Sequence, residues 1–294
     1  MGPNWIRARK NPGRIMAQVQ RGGTRGVRVR TYHTCVRIKH ALTSSTLIFS
    51  PMDALHAAAL DRAISPDRFG TYLAAAQQDV ALARKLYVWD RDLAVALLAD
   101  IAILEVAVRN ALVHQLTRTY GAEWYRQPSL FDGRSARALS GAWSRLTKPA
   151  RTPGRLTAQL MLGFWVGLLD AGGEMGQAPL DHRADYENLW RQTLCRAFPG
   201  GRTQAAATGE TFTRPWVHSI ALEVQGTRNR AAHHEPLLRG IPLNGQKFSS
   251  GQTRRITVQA AHDQIRRLAA MVDRDLAAWI DSNSTVPTVL KLKP

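Results

Sequence analysis

From Met52 onward, apolar positions recur at helical spacing, with little strand signal. That period belongs to amphipathic helices rather than strands. Ser65 and Pro66 read as an N-cap and first helical residue, with Asp67 at the positive end of the helix. Phe69, Tyr72, Leu73, Ala76 and Val80 carry the apolar side toward Tyr87. A turn is expected at Trp89 and Asp90, followed by a long apolar helix over residues 91–120 that Gly121 closes. Helices are predicted over 134–146 and 155–170, and around Tyr186, Leu189, Trp190 and Leu194 up to Pro199-Gly200-Gly201. Within the second of these, Gly163 allows close helix approach, and Phe164 and Trp165 belong to the core. A helix with Trp216, Ile220, Val224 and Ala231 on its apolar side runs up to His233, and a last one covers 257–281. Residues 170–179, 200–210 and 237–251 read as connections, and 285–290 as an extended tail. The pattern predicts an all-α helical bundle over residues 53–294, built as one body or as two packed helical halves.

Charge changes the picture at the N-terminus. The 294 residues carry 40 Lys and Arg against 22 Asp and Glu, a formal net charge of +18. Residues 1–51 contain ten of those cations, Arg7 to Lys39, and no acid. Such a segment reads as a flexible basic arm over residues 1–52, or as a non-native extension ahead of Met52. The basic body suits a polyanion, through counterion release at phosphates. No apolar run is long enough to span a bilayer, so no membrane partner is expected. The two cysteines, Cys35 and Cys195, form neither a metal spacing nor a disulfide framework, which fits a cytoplasmic protein.

Candidate chemistry concentrates in Arg228-Asn229-x-x-x-His233-His234-Glu235-Pro236. Residues four apart share a helical face, so Asn229 and His233 lie together, while Arg228 sits about 140° round from His233. Pro236 is expected to stop the helix. A neutral imidazole can take the proton of a ribose 2′-hydroxyl, because its pKa lies near working pH. A guanidinium can hold two phosphate oxygens and offset charge that develops in the transition state. An amide both donates and accepts, which suits Asn229 to orient either group. The plainer reading is a helix end whose cations complement the dipole. His234 is a further titratable neighbour, and Arg230, Lys247, Arg254 and Arg255 are candidate RNA contacts. His233, His234 and Glu235 are poor ligands for one metal ion, because adjacent helical residues point about 100° apart.

This motif resembles the C-terminal signature of the Abi-like (AbiD/AbiF-type abortive infection) proteins of the HEPN superfamily. Tyr87-x-Trp89-Asp90, Leu104-Glu105-Val106-x-Val108-Arg109-Asn110, Tyr120-Gly121-x-x-Trp124, Gly163-Phe164-Trp165 and Asp275-Leu276-x-x-Trp279-Ile280 follow in the order of that family. The resemblance covers roughly residue 65 to the C-terminus. It implies a HEPN-type helical bundle and a metal-independent endoribonuclease without cofactor, acting in phage defence or as a toxin. A homodimer with a composite site is implied, as is an antitoxin or regulatory RNA. The alternative within the same resemblance is a noncatalytic RNA-binding protein or regulatory partner.

Arg109-Asn110-x-x-x-His114 repeats the spacing within the apolar helix, and similar residues precede both motifs. A second catalytic set is one reading. The other, which mid-helix placement without a breaker favours, is a buried polar trio with Glu105 paired to Arg109.

Overall fold

The computed structural model describes residues 54–294, save 128, 178 and 180. The expected basic arm, residues 1–52, lies outside them, and so does Cys35. The fold is predominantly helical, and its axis is a single long element. The helices α1 (Ala54–Ala63) and α2 (Pro66–Ala75) lead into α3 (Val80–Tyr120), a helix of 41 residues. Ser65 caps α2 as its sequence requires, its side chain accepting from the Arg68 amide. The break between α2 and α3 falls at Gln77 and Gln78, both at positive φ, and Asp79 caps the new helix through the Leu82 amide.

The turn expected at Trp89 and Asp90 is therefore absent, because their polar groups are satisfied in place. Both are buried within α3. The Trp89 indole donates to the Val289 carbonyl (2.7 Å), and Asp90 accepts from the Tyr72 hydroxyl (2.8 Å) and the Leu237 amide (3.1 Å). A polar pair in a helical sequence signals a turn only when nothing distant needs it.

Around α3 pack α4 (Gly133–Ser144), α5 (Pro153–Gln159) and α6 (Leu162–Gly167). The predicted helix over 155–170 divides at Leu160 and Met161, and the carboxylate of Glu105 accepts from the Leu162 amide (3.1 Å) at the start of α6. A Cβ at Gly163 would meet Gln225 at 3.0 Å, so the glycine does permit a close approach. A short ladder pairs β1 (Glu174–Met175) with β2 (His182–Arg183), and α7 (Tyr186–Gln192) and α8 (Gly201–Ala206) follow. The connection expected over 200–210 thus contains a helical turn. A Cβ on Gly200 would strike the Ala270 carbonyl, so this glycine marks close backbone packing as well as a helix stop.

The motif helix is α9 (Arg214–Ala232), capped by Thr213. The expected connection after it is a hairpin, β3 (Ile241–Lys247) antiparallel to β4 (Thr253–Ile256). Positive φ at Gly240 sets its entry, where a Cβ would strike the Ile256 carbonyl. The predicted last helix is two, α10 (Val258–Val272) and α11 (Arg274–Asn283), because Asp273 is extended and its carboxylate caps α11 through the Asp275 and Leu276 amides. The tail forms α12 (Val286–Lys291) instead of an extended segment.

Two packed halves do not form. One buried cluster runs from Trp89 to Val289 and includes Phe164 and Trp165, with a small satellite of Tyr72, Ala76, Ala83 and Leu86 between α2 and α3. Among the described residues, no helix is long and apolar enough to cross a membrane.

Asp90 is only 4% exposed, and burial pushes its carboxyl above the ordinary value of 3.8, against the donors that hold it. Removing it leaves two buried donors without an acceptor, so Asp90→Ala should cost about 2–4 kcal/mol in urea unfolding. A carboxyl with a raised folded pKa contributes stability that is complete below 3.8 and declines as pH rises through the folded value. The stability difference, wild type minus Asp90→Asn, should accordingly fall as pH rises from 3.8. A difference constant across that range would contradict this account.

Candidate functional site

The end of α9 is built by backbone geometry before any chemistry. Ile220, Val224, Thr227 and Ala231 bury one side of the helix, and Trp216 is half-buried beside them. The opposite side therefore carries Asn229 and His233, and both are exposed. The helix stops three residues before the proline. His233 is the C-cap, and His234 takes the left-handed conformation at φ 55. The His234 amide then donates to the Ala231 carbonyl (3.1 Å) and the Glu235 amide to the Arg230 carbonyl (3.0 Å). This double closure is the Schellman arrangement, normally completed by glycine at the position His234 holds. An ion pair from Arg230 to Glu235 (2.9 Å) spans the same turn, and Arg230 also donates to the Pro236 carbonyl (3.3 Å). Arg68, from α2, donates to the His233 carbonyl (3.4 Å).

Two anchors fix this turn against the body. One is Asp90, through the Leu237 amide. The other is Glu105, whose carboxylate lies 4.0 Å from the Arg228 guanidinium. Arg228 is about a quarter exposed (25%) and leans toward α3. The structure thus brings Asn229 and His233 to one open face, while Arg228 is drawn toward a carboxylate beside it.

The remaining predicted residues divide. Arg230 is committed to the helix end. Lys247 and Arg254 are exposed on the hairpin, where the Arg254 guanidinium stacks over the exposed Phe248 ring at 5.8 Å. Arg255 reaches across to donate to the Arg239 (2.8 Å) and Gly240 (2.6 Å) carbonyls. Burial, and then the neighbouring guanidiniums of Arg230 and Arg239, hold Arg255 below its ordinary pKa. The region beside the motif therefore carries an excess of positive charge.

The first motif is not the buried trio expected. Asn110 and His114 are exposed, Arg109 is half-buried, and Glu105 turns to Arg228 and the Leu162 amide. Arg109 and Asn110 line a cleft of about 350 Å³ closed by Pro153, Gly154 and Thr157. Among the described residues, no hydrogen bond or ion pair joins the two motifs.

A second polar group invites a catalytic reading and does not sustain one. Asp100, His262 and Ser284 meet in the core, but Ser284 Oγ (3.1 Å) and Asp100 Oδ2 (3.2 Å) both lie on His262 Nε2. The other ring nitrogen, Nδ1, has no partner. A relay needs the acid and the nucleophile on different nitrogens, so this trio ties α3, α10 and the end of α11 together. Among the described residues, no group of His, Cys, Asp or Glu side chains is arranged to hold a metal ion.

Sequence reasoning missed Tyr72, Arg68, Arg239 and Lys293. Tyr72, Arg68 and Lys293 come near through tertiary contacts that no local pattern encodes, and Arg239 follows the motif directly on the chain. No family model, curated protein or solved structure matches the chain.

If His234 serves chiefly as the left-handed closure, His234→Gly removes the strain of a side chain at positive φ. The variant should gain about 0.5–1 kcal/mol in thermal or urea unfolding. A loss of stability would show that the His234 side chain itself holds the turn.

Proposed function

We propose that this chain is a metal-independent endoribonuclease of the HEPN type, acting on RNA through the end of α9. The observation that carries the reading is that Asn229 and His233 share an exposed face at a helix terminus closed by backbone hydrogen bonds. The His233 imidazole takes the proton of the ribose 2′-hydroxyl, and the 2′ oxygen attacks the adjacent phosphorus. The bond to the 5′ oxygen breaks, that oxygen receives a proton, and a 2′,3′-cyclic phosphate and a 5′-hydroxyl result. Arg228 offsets charge on the phosphoryl oxygens once RNA draws it from Glu105, and Asn229 orients the imidazole or the phosphate. The hairpin supplies Lys247 and Arg254 for backbone phosphates and Phe248 as a surface on which a base stacks.

A second copy of the chain completes the site. The face of α3 offered to it is apolar and exposed, through Val95 (61%), Ile103 (38%) and Val106 (44%), and it continues into Asn110 and His114. Exposed apolar stripes of this kind mark association surfaces, and a closed two-fold pairing buries the same stripe on both copies. The biological setting that fits such an activity is phage defence or a toxin held by an antitoxin or regulatory RNA, in the cytoplasm.

The contact of Arg228 with Glu105 favours a second reading, in which the protein grips RNA without cleaving it. RNA cleavage in EDTA separates the two. Wild type should yield a 2′,3′-cyclic phosphate, and His233→Ala and Arg228→Ala should each lose about 10²–10⁴-fold in rate. Full activity in His233→Ala removes the imidazole from the mechanism, and salt-sensitive binding without cleavage across varied RNAs selects the second reading. For the dimer, the Val95→Glu, Ile103→Glu double variant should elute at monomer mass by light scattering, with unchanged helicity and no cleavage. A dimer of unaltered mass would contradict this interface.

A further inference from the structure

Between the segment after Pro236 and the C-terminal helix lies a cleft of about 470 Å³ that the reading above does not use. Its cations come from three separate parts of the chain. Arg239 follows the Asp90-anchored turn, Arg255 is on β4, and Lys293 lies just beyond α12. No carboxylate is among the residues lining it. Leu238, Ile256 and Leu290 give it an apolar wall, and the side chain of Gln259 stands at the start of α10.

The electrostatics of the cleft are unbalanced. Burial first, and then the like charges of Arg230 and Arg239, hold Arg255 below its ordinary pKa, with Glu235 the opposing influence. Among the described residues no carboxylate pairs with Lys293, whose ammonium sits over the Trp89 ring at 5.5 Å. A pocket that gathers cations without matching acids favours an anion that supplies them. Its volume exceeds what an inorganic anion fills and falls in the range of small-molecule sites, about 300–1,000 Å³. The apolar wall calls for a ligand with a flat, weakly polar part.

We propose that this cleft binds a phosphorylated nucleoside, its phosphate held by Arg239, Arg255 and Lys293 and its base laid against Leu238, Ile256 and Leu290. Thr257, Val258 and Gln259, at the start of α10, line the same cleft. The ligand is either a free nucleotide or a nucleotide of an RNA strand, since both present the same phosphate and base. This site is separate from the Asn229–His233 face, and its occupancy requires no cleavage.

The test is isothermal titration of the full chain with the four ribonucleoside 5′-monophosphates, the parent nucleosides, inorganic phosphate and 2′-O-methyl trinucleotides. At least one monophosphate or trinucleotide should bind tenfold or more tighter than phosphate or nucleoside. The Arg239→Ala, Lys293→Ala double variant should weaken that binding at least tenfold, while Arg274→Ala, on the exposed surface of α11, leaves it unchanged. Both replaced side chains are exposed, and each single variant serves if the double variant loses helicity. Binding of a monophosphate assigns the free nucleotide, and binding of the trinucleotide alone assigns the strand. No binding by any probe, phosphate binding as tightly as nucleotides, or undiminished binding by the variants overturns the proposal. RNA cleavage by wild type and His233→Ala is read separately, so failure here and failure of the nuclease reading are distinguishable.

Discussion

A single buried carboxylate, Asp90, decides where the surface chemistry of this protein can sit. It projects from the middle of α3 and receives the Leu237 amide just after the motif helix has ended. Without that acceptor, the chain leaving α9 would have a buried donor to satisfy elsewhere, and the turn through His234 would lose its fixed point. Tyr72 closes the arrangement from α2, and its own ionisation is pushed far up by burial and by Asp90. The group that holds the site is therefore 147 residues away from it in sequence.

What the anchored turn presents follows from ordinary helix termination. The Arg230 and Ala231 carbonyls that end α9 are answered by backbone amides, the C-cap carbonyl of His233 by Arg68 and the Pro236 carbonyl by Arg230, so the terminus is closed without using the Asn229 or His233 side chains. Those two remain exposed. In the hairpin that follows, Arg255 on β4 comes near the like charges of Arg230 and Arg239. Arg228 is the motif residue turned inward, its guanidinium 4.0 Å from the Glu105 carboxylate.

Much of this was legible in the pattern of residues, and the errors have physical causes. The start of α2 is legible at Ser65 and Pro66, because that cap is local, whereas the side-chain caps Asp79 and Asp273 lie inside stretches whose pattern reads as continuous helix. The long helix was cut short at Trp89 and Asp90, since their polarity is explained only by Val289 and Leu237, far away in the chain. The hairpin over 241–256 escaped notice because its register is irregular between Pro242 and Lys247 and its turn residues resemble a solvated connection. The final helix was read as one because Asp273 fits a helical surface by composition; its role as a cap appears only in its extended backbone. At the site, the shared face of Asn229 and His233 followed from helical periodicity. The pairing of Glu105 with Arg228 rather than Arg109 did not, because it depends on how α3 and α9 pack.

The central claim is that RNA lies against the end of α9 and the adjoining hairpin. Photo-crosslinking of a 4-thiouridine, 2′-O-methyl RNA to the intact protein, with the modified peptides identified by mass spectrometry, tests it most directly. The account predicts adducts within residues 228–236 and 247–254. Adducts confined to other surfaces, such as the exposed sides of α4 or α11, would contradict it.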